Sequence, residues 1–264
     1  MTDHIADRFN AFLQYITLSD GEKMKALEQG RILSQRLEQR PEVYKCLITG
    51  SMVRTTAIRK YSDVDIVAVI DSVNPLTQAD SAVLVRAVAD MLRETESHVQ
   101  VSENAVRVRS DDGITVDVLA AIQMGISDAS EDEYRIPSPN QEGWEKYVPE
   151  EQNRRIREST ELLGEDFKIL IRLLKWWSRV NGHPISSHVI EIAACESFAT
   201  KMPEMPLAVI SLYDSIGRLL GSNSSRMPIL MESKAIAEEA YSSWHSGQAK
   251  KSIELWGRLF GEKF

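Results

Sequence analysis

The stretch GSMVRTTAIRKYSDVDIVAVI, residues 50–70, joins a glycine turn, a charged pair and an apolar run. Val64 to Ile70 reads as a buried β-strand, because a short run of β-branched and small apolar residues suits a sheet covered on both faces. Asp63 and Asp65 carry two carboxylates into the start of that strand. Residues i and i+2 of a strand project from one face, so the pair stands together, roughly 6.5 to 7 Å apart along the chain. Like charges so placed repel each other and resist burial. A divalent cation relieves both problems, since Mg²⁺ takes hard oxygen ligands and completes its octahedron with water and substrate phosphate.

The neighbouring segments extend this reading. Upstream, YKCLITG is a short apolar strand ending at Gly50-Ser51, where a short helix or turn begins. Glycine there permits close backbone approach, the N–H groups that follow favour phosphate, and the Ser51 hydroxyl adds a hydrogen bond. Downstream, AVRVRS and ITVDVLAAI alternate in polarity around Asp-Asp-Gly, which marks a hairpin and puts Asp117 in a strand. If that strand neighbours the first, Asp63, Asp65 and Asp117 converge. Such a cluster supports two metals, one activating an attacking hydroxyl and one holding the triphosphate and leaving pyrophosphate. The competing reading of an isolated Gly-Ser or Asp-x-Asp is a plain turn and an exposed edge strand; the ordered combination favours chemistry.

The whole chain sets the bounds. Its 264 residues, 43% hydrophobic and 27% charged, suit one large domain or two packed lobes. A net charge of −8 excludes a surface that grips nucleic acid everywhere, so a polyanionic ligand must meet a local patch. No apolar run reaches the length of about 18 residues that spans a bilayer, and the N-terminus lacks the pattern of a secretory signal, so a cytoplasmic protein is expected. Cys46 and Cys195 are far apart and read as reduced, buried thiols.

The N-terminal segment has helical spacing, with Phe9, Phe12 and Leu13 on one face. A second helix starts at a capping box, Ser19 and Glu22, and ends by Pro41. SAVLVRAVADMLRET is a further helix. Residues 127–153 are polar, acidic and broken by proline and glycine, which predicts an exposed loop and the boundary between lobes. Beyond Glu158 the pattern is helical. EDFKILIRLLKWWSRVNG is its strongest element, with Phe167, Leu170, Ile171, Leu174 and Trp177 as the apolar face and Gly182 as the stop. Lys168, Arg172, Lys175 and Arg179 share one stripe of this helix, and such stripes are commonly solvated surface. Lys175 is the best candidate there for a triphosphate contact, and Ser187 one at the next helix start. His188 has no partners at zinc spacing. The basic cluster NRRIR, residues 153–157, is flanked by Glu150, Glu151 and Glu158 and reads as paired on a helix. Trp176, Trp177, Trp244 and Trp256 read as core.

These residues resemble the DNA polymerase β-like nucleotidyltransferases, and more closely the cGAS/DncV-like bacterial members of SMODS type that make cyclic oligonucleotides in antiphage defence. The likeness rests on GSMVRTTAIRKYSDVDIVAVI, ITVDVLAAI, FNAFLQYITLSDGE, LLKWW and SSHVIE, and spans residues 9–191 at least. It implies an α+β, bilobed fold: a nucleotidyltransferase lobe of mixed β-sheet over residues 1–155, and a helical lobe over residues 156–264 that closes the active-site cleft. It implies synthesis of a cyclic di- or trinucleotide from NTPs with release of pyrophosphate, and an effector protein, encoded separately, that senses the product. Carried over by position, Asp63, Asp65 and Asp117 are the catalytic, metal-binding triad for Mg²⁺, with Mn²⁺ able to substitute. Gly50 and Ser51 hold phosphates; Lys175 and Ser187 contact the triphosphate. Met52 departs from the family's usual aromatic residue. Two other readings stay open: transfer to another acceptor, such as a linear oligoadenylate, a tRNA, a small molecule or a protein, and an inactive nucleotide-binding sensor. The acidic balance and the missing basic tail weigh against tRNA.

Overall fold

Local chemistry starts the chain. In α1 (Asp3–Ile16), Phe9, Phe12 and Ile16 fall on one buried face at helical spacing. Helix α2 (Asp20–Glu38) opens on the expected capping box: the Glu22 carboxylate accepts from the Ser19 N–H at 2.7 Å and the Ser19 hydroxyl from the Glu22 N–H at 3.3 Å. Such a cap stabilises by about 1 kcal/mol. The computed structural model describes residues 3–102, 104–138 and 143–264. It continues with β1 (Val43–Thr49), the single turn α3 (Gly50–Val53), β2 (Val64–Ile70), α4 (Ser81–Arg93), β3 (Val99–Val101), β4 (Val106–Arg109), β5 (Thr115–Ile126), β6 (Asp132–Pro137) and β7 (Trp144–Tyr147). Helices complete it: α5 (Pro149–Leu163), α6 (Asp166–Val180), α7 (Ser187–Ser197), α8 (Met205–Leu220), α9 (Met227–His245) and α10 (Ala249–Phe260). Among the described residues no helix is long and apolar enough to cross a membrane.

The seven strands form one mixed sheet in the order β1-β2-β5-β4-β3, with β6 on β5 and β7 on β6. Strands β2 and β5 run parallel with Asp65 opposite Asp117, and all other pairs are antiparallel. The β4–β5 hairpin turns at Asp-Asp-Gly as expected, with Gly113 at φ 84°. One face of the central strands starts with Asp65 and Asp117 and continues through Val67, Val69, Leu119 and Ala121, which pack with Tyr134 and Ile136. Against β2, a Cβ on Gly30 would lie 2.8 Å from Val64 Cγ1, so glycine lets α2 approach the strand closely.

Two compact units result, and both are assembled from separated stretches. The sheet unit comprises Ser19–Thr55 and Ser62–Arg154; the helical unit comprises Met1–Leu18, Thr56–Tyr61 and Arg155–Phe264. The expected boundary at 155/156 has its counterpart inside α5, but two earlier pieces belong with the later helices. The reason is apolar area. Phe9, Phe12 and Ile16 of α1, with Ile58, join the core formed by the apolar face of α6 and by Tyr213, Trp256 and Phe260. Phe9 meets Trp256 edge-on at 5.3 Å and Phe12 meets Trp176 at 5.9 Å, geometries that favour aromatic pairs beyond their burial. Phe167, Leu170, Ile171, Leu174 and Trp177 are all fully buried, as their spacing predicts.

The loop expected over 127–153 is instead largely β6, β7 and the start of α5, apart from residues 139–142, which lie outside the described ones. Its acidic composition masked a short alternation: Tyr134 and Ile136 point into the sheet core. The Asp132 carboxylate between them and solvent is held by the Lys45 ammonium at 2.9 Å and the Tyr134 hydroxyl at 3.0 Å. Those two donors lower its pKa from the ordinary value.

Candidate active site

Register builds the site. Thr49, Asp65, Asp117, Arg107 and Gln100 lie opposite one another on successive strands, forming a single row across β1, β2, β5, β4 and β3. Residues paired in this way share a face, so side chains distant in sequence meet. Asp63 precedes β2 by one residue and stands on the same side. The sheet therefore brings Asp63, Asp65 and Asp117 to one end of one face, beside Arg107 and Gln100 and next to the apolar patch of Val67, Val69, Leu119 and Ala121.

The charges are organised by a residue the sequence reading passed over. Arg107 Nε donates to Asp117 Oδ1 at 2.8 Å and Nη2 to Oδ2 at 2.7 Å, while Nη2 also donates to Asp63 Oδ2 at 3.2 Å. The bond to Asp117, then the charges of Asp117, Asp63 and Asp65, raise the guanidinium's pKa against the opposing effect of burial. The signal was available in the hairpin: counting outward from Asp-Asp-Gly puts Arg107 opposite Asp117.

Asp65 is placed differently. A Cβ on Gly50 would lie 1.7 Å from Asp65 Oδ2, so the carboxylate occupies space that any other residue's side chain would fill. Gly50 also has φ 81°, a conformation that L side chains rarely adopt. Glycine at position 50 thus makes room for a carboxylate as well as for any phosphate. Ser51 follows it on α3 and is half-buried. Met52 is 2% exposed and fills its place with a flexible thioether.

Three carboxylates, two on adjacent strands and Asp63 just before β2, are a hard-oxygen donor set, and the guanidinium bridging two of them shows that their oxygens accommodate a cation; this chemistry suits a hard divalent metal ion. As the side chains stand, no group of three or more His, Cys, Asp or Glu among the described residues is arranged to hold a metal ion. Arg107 engages Asp63 and Asp117, and Asp65 leans on Gly50.

Lys175 and Ser187 belong to the helical unit. Lys175 is 3% exposed, and the partner recorded for its charge is protein: Nζ donates to Glu191 Oε1 at 2.5 Å and to Thr56 Oγ1 at 3.0 Å, and the Thr56 hydroxyl donates to the same Glu191 oxygen at 2.6 Å. The stripe is therefore not uniform surface. Lys168 pairs with Glu165, burial lowers the pKa of Arg172, and Lys175 is interior. The sequence reading gave Thr56 and Glu191 no role of their own, because a contact among residues 56, 175 and 191 leaves no local pattern. Ser187 is the first residue of α7, and its neighbour Ser186 caps the helix by accepting from the Val189 N–H. His188 is exposed. Arg154 pairs with Glu131 and Arg155 with Glu196, both outside the helix, while Asn153 donates to Glu150 within it, so the NRRIR cluster is paired in part.

The description "Second Messenger Oligonucleotide or Dinucleotide Synthetase domain" matches residues 3–159. No curated protein matches the chain in sequence. Among solved structures, CdnC of E. coli MS115-1 with ATP superposes with a TM-score of 0.80 at 17% identity, over 98% of this chain and 97% of that one. CdnG of Bradyrhizobium diazoefficiens in complex with GTP gives 0.72 at 13% identity, over 96% and 98%. Vibrio cholerae DncV, a cyclic AMP-GMP synthase, gives 0.69 at 13% identity, over 97% and 95%. At these identities the likeness is one of fold, and that fold is the bilobed α+β architecture of the polymerase β-like nucleotidyltransferases.

Proposed function

We propose, from the premise that this chain belongs to the second messenger oligonucleotide or dinucleotide synthetase family and is a nucleotidyltransferase of the cGAS/DncV-like kind, that it makes a cyclic di- or trinucleotide from NTPs, with release of pyrophosphate, as a cytoplasmic antiphage signal read by a separate effector. The observation that carries the reading is the row of Asp65 and Asp117 on adjacent parallel strands, with Asp63 beside them and Gly50 at their edge.

In this reading Asp63, Asp65 and Asp117 hold Mg²⁺, or Mn²⁺ in its place, which when bound neutralises the triphosphate and polarises the attacking hydroxyl. The backbone N–H groups after Gly50 and the Ser51 hydroxyl bind phosphate oxygens and set the angle of the reacting phosphorus. Lys175 and Ser187 enter as the contacts of the helical unit to the triphosphate. For Lys175 this requires exchange of the Glu191 carboxylate for phosphate.

The test is incubation with all four NTPs and Mg²⁺ or Mn²⁺, followed by phosphatase digestion and mass spectrometry. A phosphatase-resistant product, absent with Asp63→Ala/Asp65→Ala, is the expected result and identifies the bases. Products that the phosphatase degrades would point to linear transfer, and tight NTP binding without turnover to a sensor.

A further inference from the structure

Arg107 is in direct contact with two of the three clustered carboxylates, and it engages them through the atoms that a metal would need. Its bidentate contact uses both oxygens of Asp117, and the second nitrogen is shared with Asp63. A guanidinium and a divalent cation cannot both take these oxygens in full, because each lone pair serves one partner well. The contact is also exchangeable: the Arg107 side chain is 45% exposed, and pairs that water reaches are held weakly. Beside it lies an open cavity of about 670 Å³, lined by His98, Gln100, Arg107, Arg109, Asp111 and Thr115 among others, where the side chain has room to turn from Asp63 and Asp117 toward another carboxylate, Asp111.

We infer that Arg107 is the internal counter-ion of the acidic cluster: it keeps Asp63 and Asp117 together against their mutual repulsion and is displaced toward the adjoining cavity when a divalent cation binds. It is thus a positioning residue that sets the metal affinity of the site. This inference rests on the proposed metal-binding role of the three aspartates. It explains why like charges tolerate one another at the end of a strand, and it makes metal affinity a property of four residues rather than three.

The experiment is a titration of the purified full chain with Mn²⁺ alone, read by electron paramagnetic resonance of the free ion, for wild type, Arg107→Gln, Arg107→Lys and Asp117→Asn. Arg107→Gln should bind Mn²⁺ about fivefold more tightly, the change expected for loss of a partly exposed competing pair, while its melting temperature in chelator falls. Arg107→Lys, which keeps the charge without the fork, should fall between. Unchanged or weaker Mn²⁺ binding by Arg107→Gln, with Asp117→Asn abolishing it, would overturn the role of Arg107 and leave the metal site intact. Mn²⁺ binding that Asp117→Asn does not disturb would overturn the metal site itself. Should Arg107→Gln fail to fold, wild type suffices: Mg²⁺ should accelerate solvent exchange of the Arg107 Nε–H seen by ¹⁵N NMR, and an unaltered exchange rate would overturn displacement.

Discussion

Two clusters in this chain join a cation to carboxylate, yet they behave as opposites. In the sheet unit, Arg107 faces Asp117 and Asp63 with 45%, 18% and 30% of the side chains exposed. In the helical unit, Lys175 and Glu191 are 3% and 1% exposed, and Thr56 closes the network. Water and ions reach the first cluster, so its partners can be exchanged. The second was desolvated on folding, and separating it would leave charges in an apolar interior. How readily a charged pair trades its partner for a ligand therefore depends on its access to solvent, a property that residue identity alone does not reveal.

The largest expected effect would break the sheet-unit side of this comparison. Asp65→Asn or Asp117→Asn should reduce cyclic product formation by on the order of 10³-fold, because neutral amides neither hold the metal nor offset its charge. The melting temperature should stay close to wild type, since neither carboxylate supports the core. A comparable loss of stability would mean that the cluster is a strut after all.

The next effect concerns the buried pair. Lys175→Met or Glu191→Gln alone should destabilise the chain by about 3–5 kcal/mol in denaturant unfolding, whereas the double change Lys175→Met/Glu191→Leu should recover most of that loss. NTP affinity of Lys175→Met, measured where it remains folded, should also fall if Lys175 trades Glu191 for triphosphate, and unchanged affinity would overturn that contact.

Gly50→Ala sharpens the boundary between positioning and binding. The added Cβ must displace Asp65, given the 1.7 Å approach and the positive φ, at about 1–3 kcal/mol of stability. Metal affinity should fall with it, as measured by Mn²⁺ titration.

The smallest effect compares the units through their thiols. Both thiols are half-buried where full burial was expected, yet desolvation, aided by Glu38, pushes the Cys46 thiol up to about 12, and desolvation also raises Cys195. Cys46 in the folded chain at pH 8 should react with a disulfide reagent at least about a hundredfold more slowly than a free thiol, and faster only as pH rises, because the thiolate is the nucleophile. Fast labelling at pH 8 would mean that β1 opens.

Much of this was legible from local patterns. The Ser19–Glu22 capping box, the Asp-Asp-Gly hairpin, the apolar face from Phe167 to Trp177 and the strand at Val64–Ile70 each depend on neighbours within a few residues, and each stands as its spacing predicts. The strand pair β6–β7 was missed because its acidic surface residues outnumber Tyr134 and Ile136, whose burial is decided by β5. The placement of α1 with the later helices was missed for a related reason: Phe9 and Phe12 announce an apolar face but not the partner that covers it.

The sequence by itself determined the helices, the strands β1, β2, β4 and β5, the carboxylate pair at the head of β2 and the family to which the chain belongs, because periodicity and motif spacing are carried by the covalent chain. Only the tertiary structure decided that Asp65 leans on Gly50, that Arg107 stands opposite Asp117 and bridges to Asp63, and that Lys175 is sealed against Glu191. Sheet register and burial set those pairings, and both arise from the packing of segments far apart along the chain.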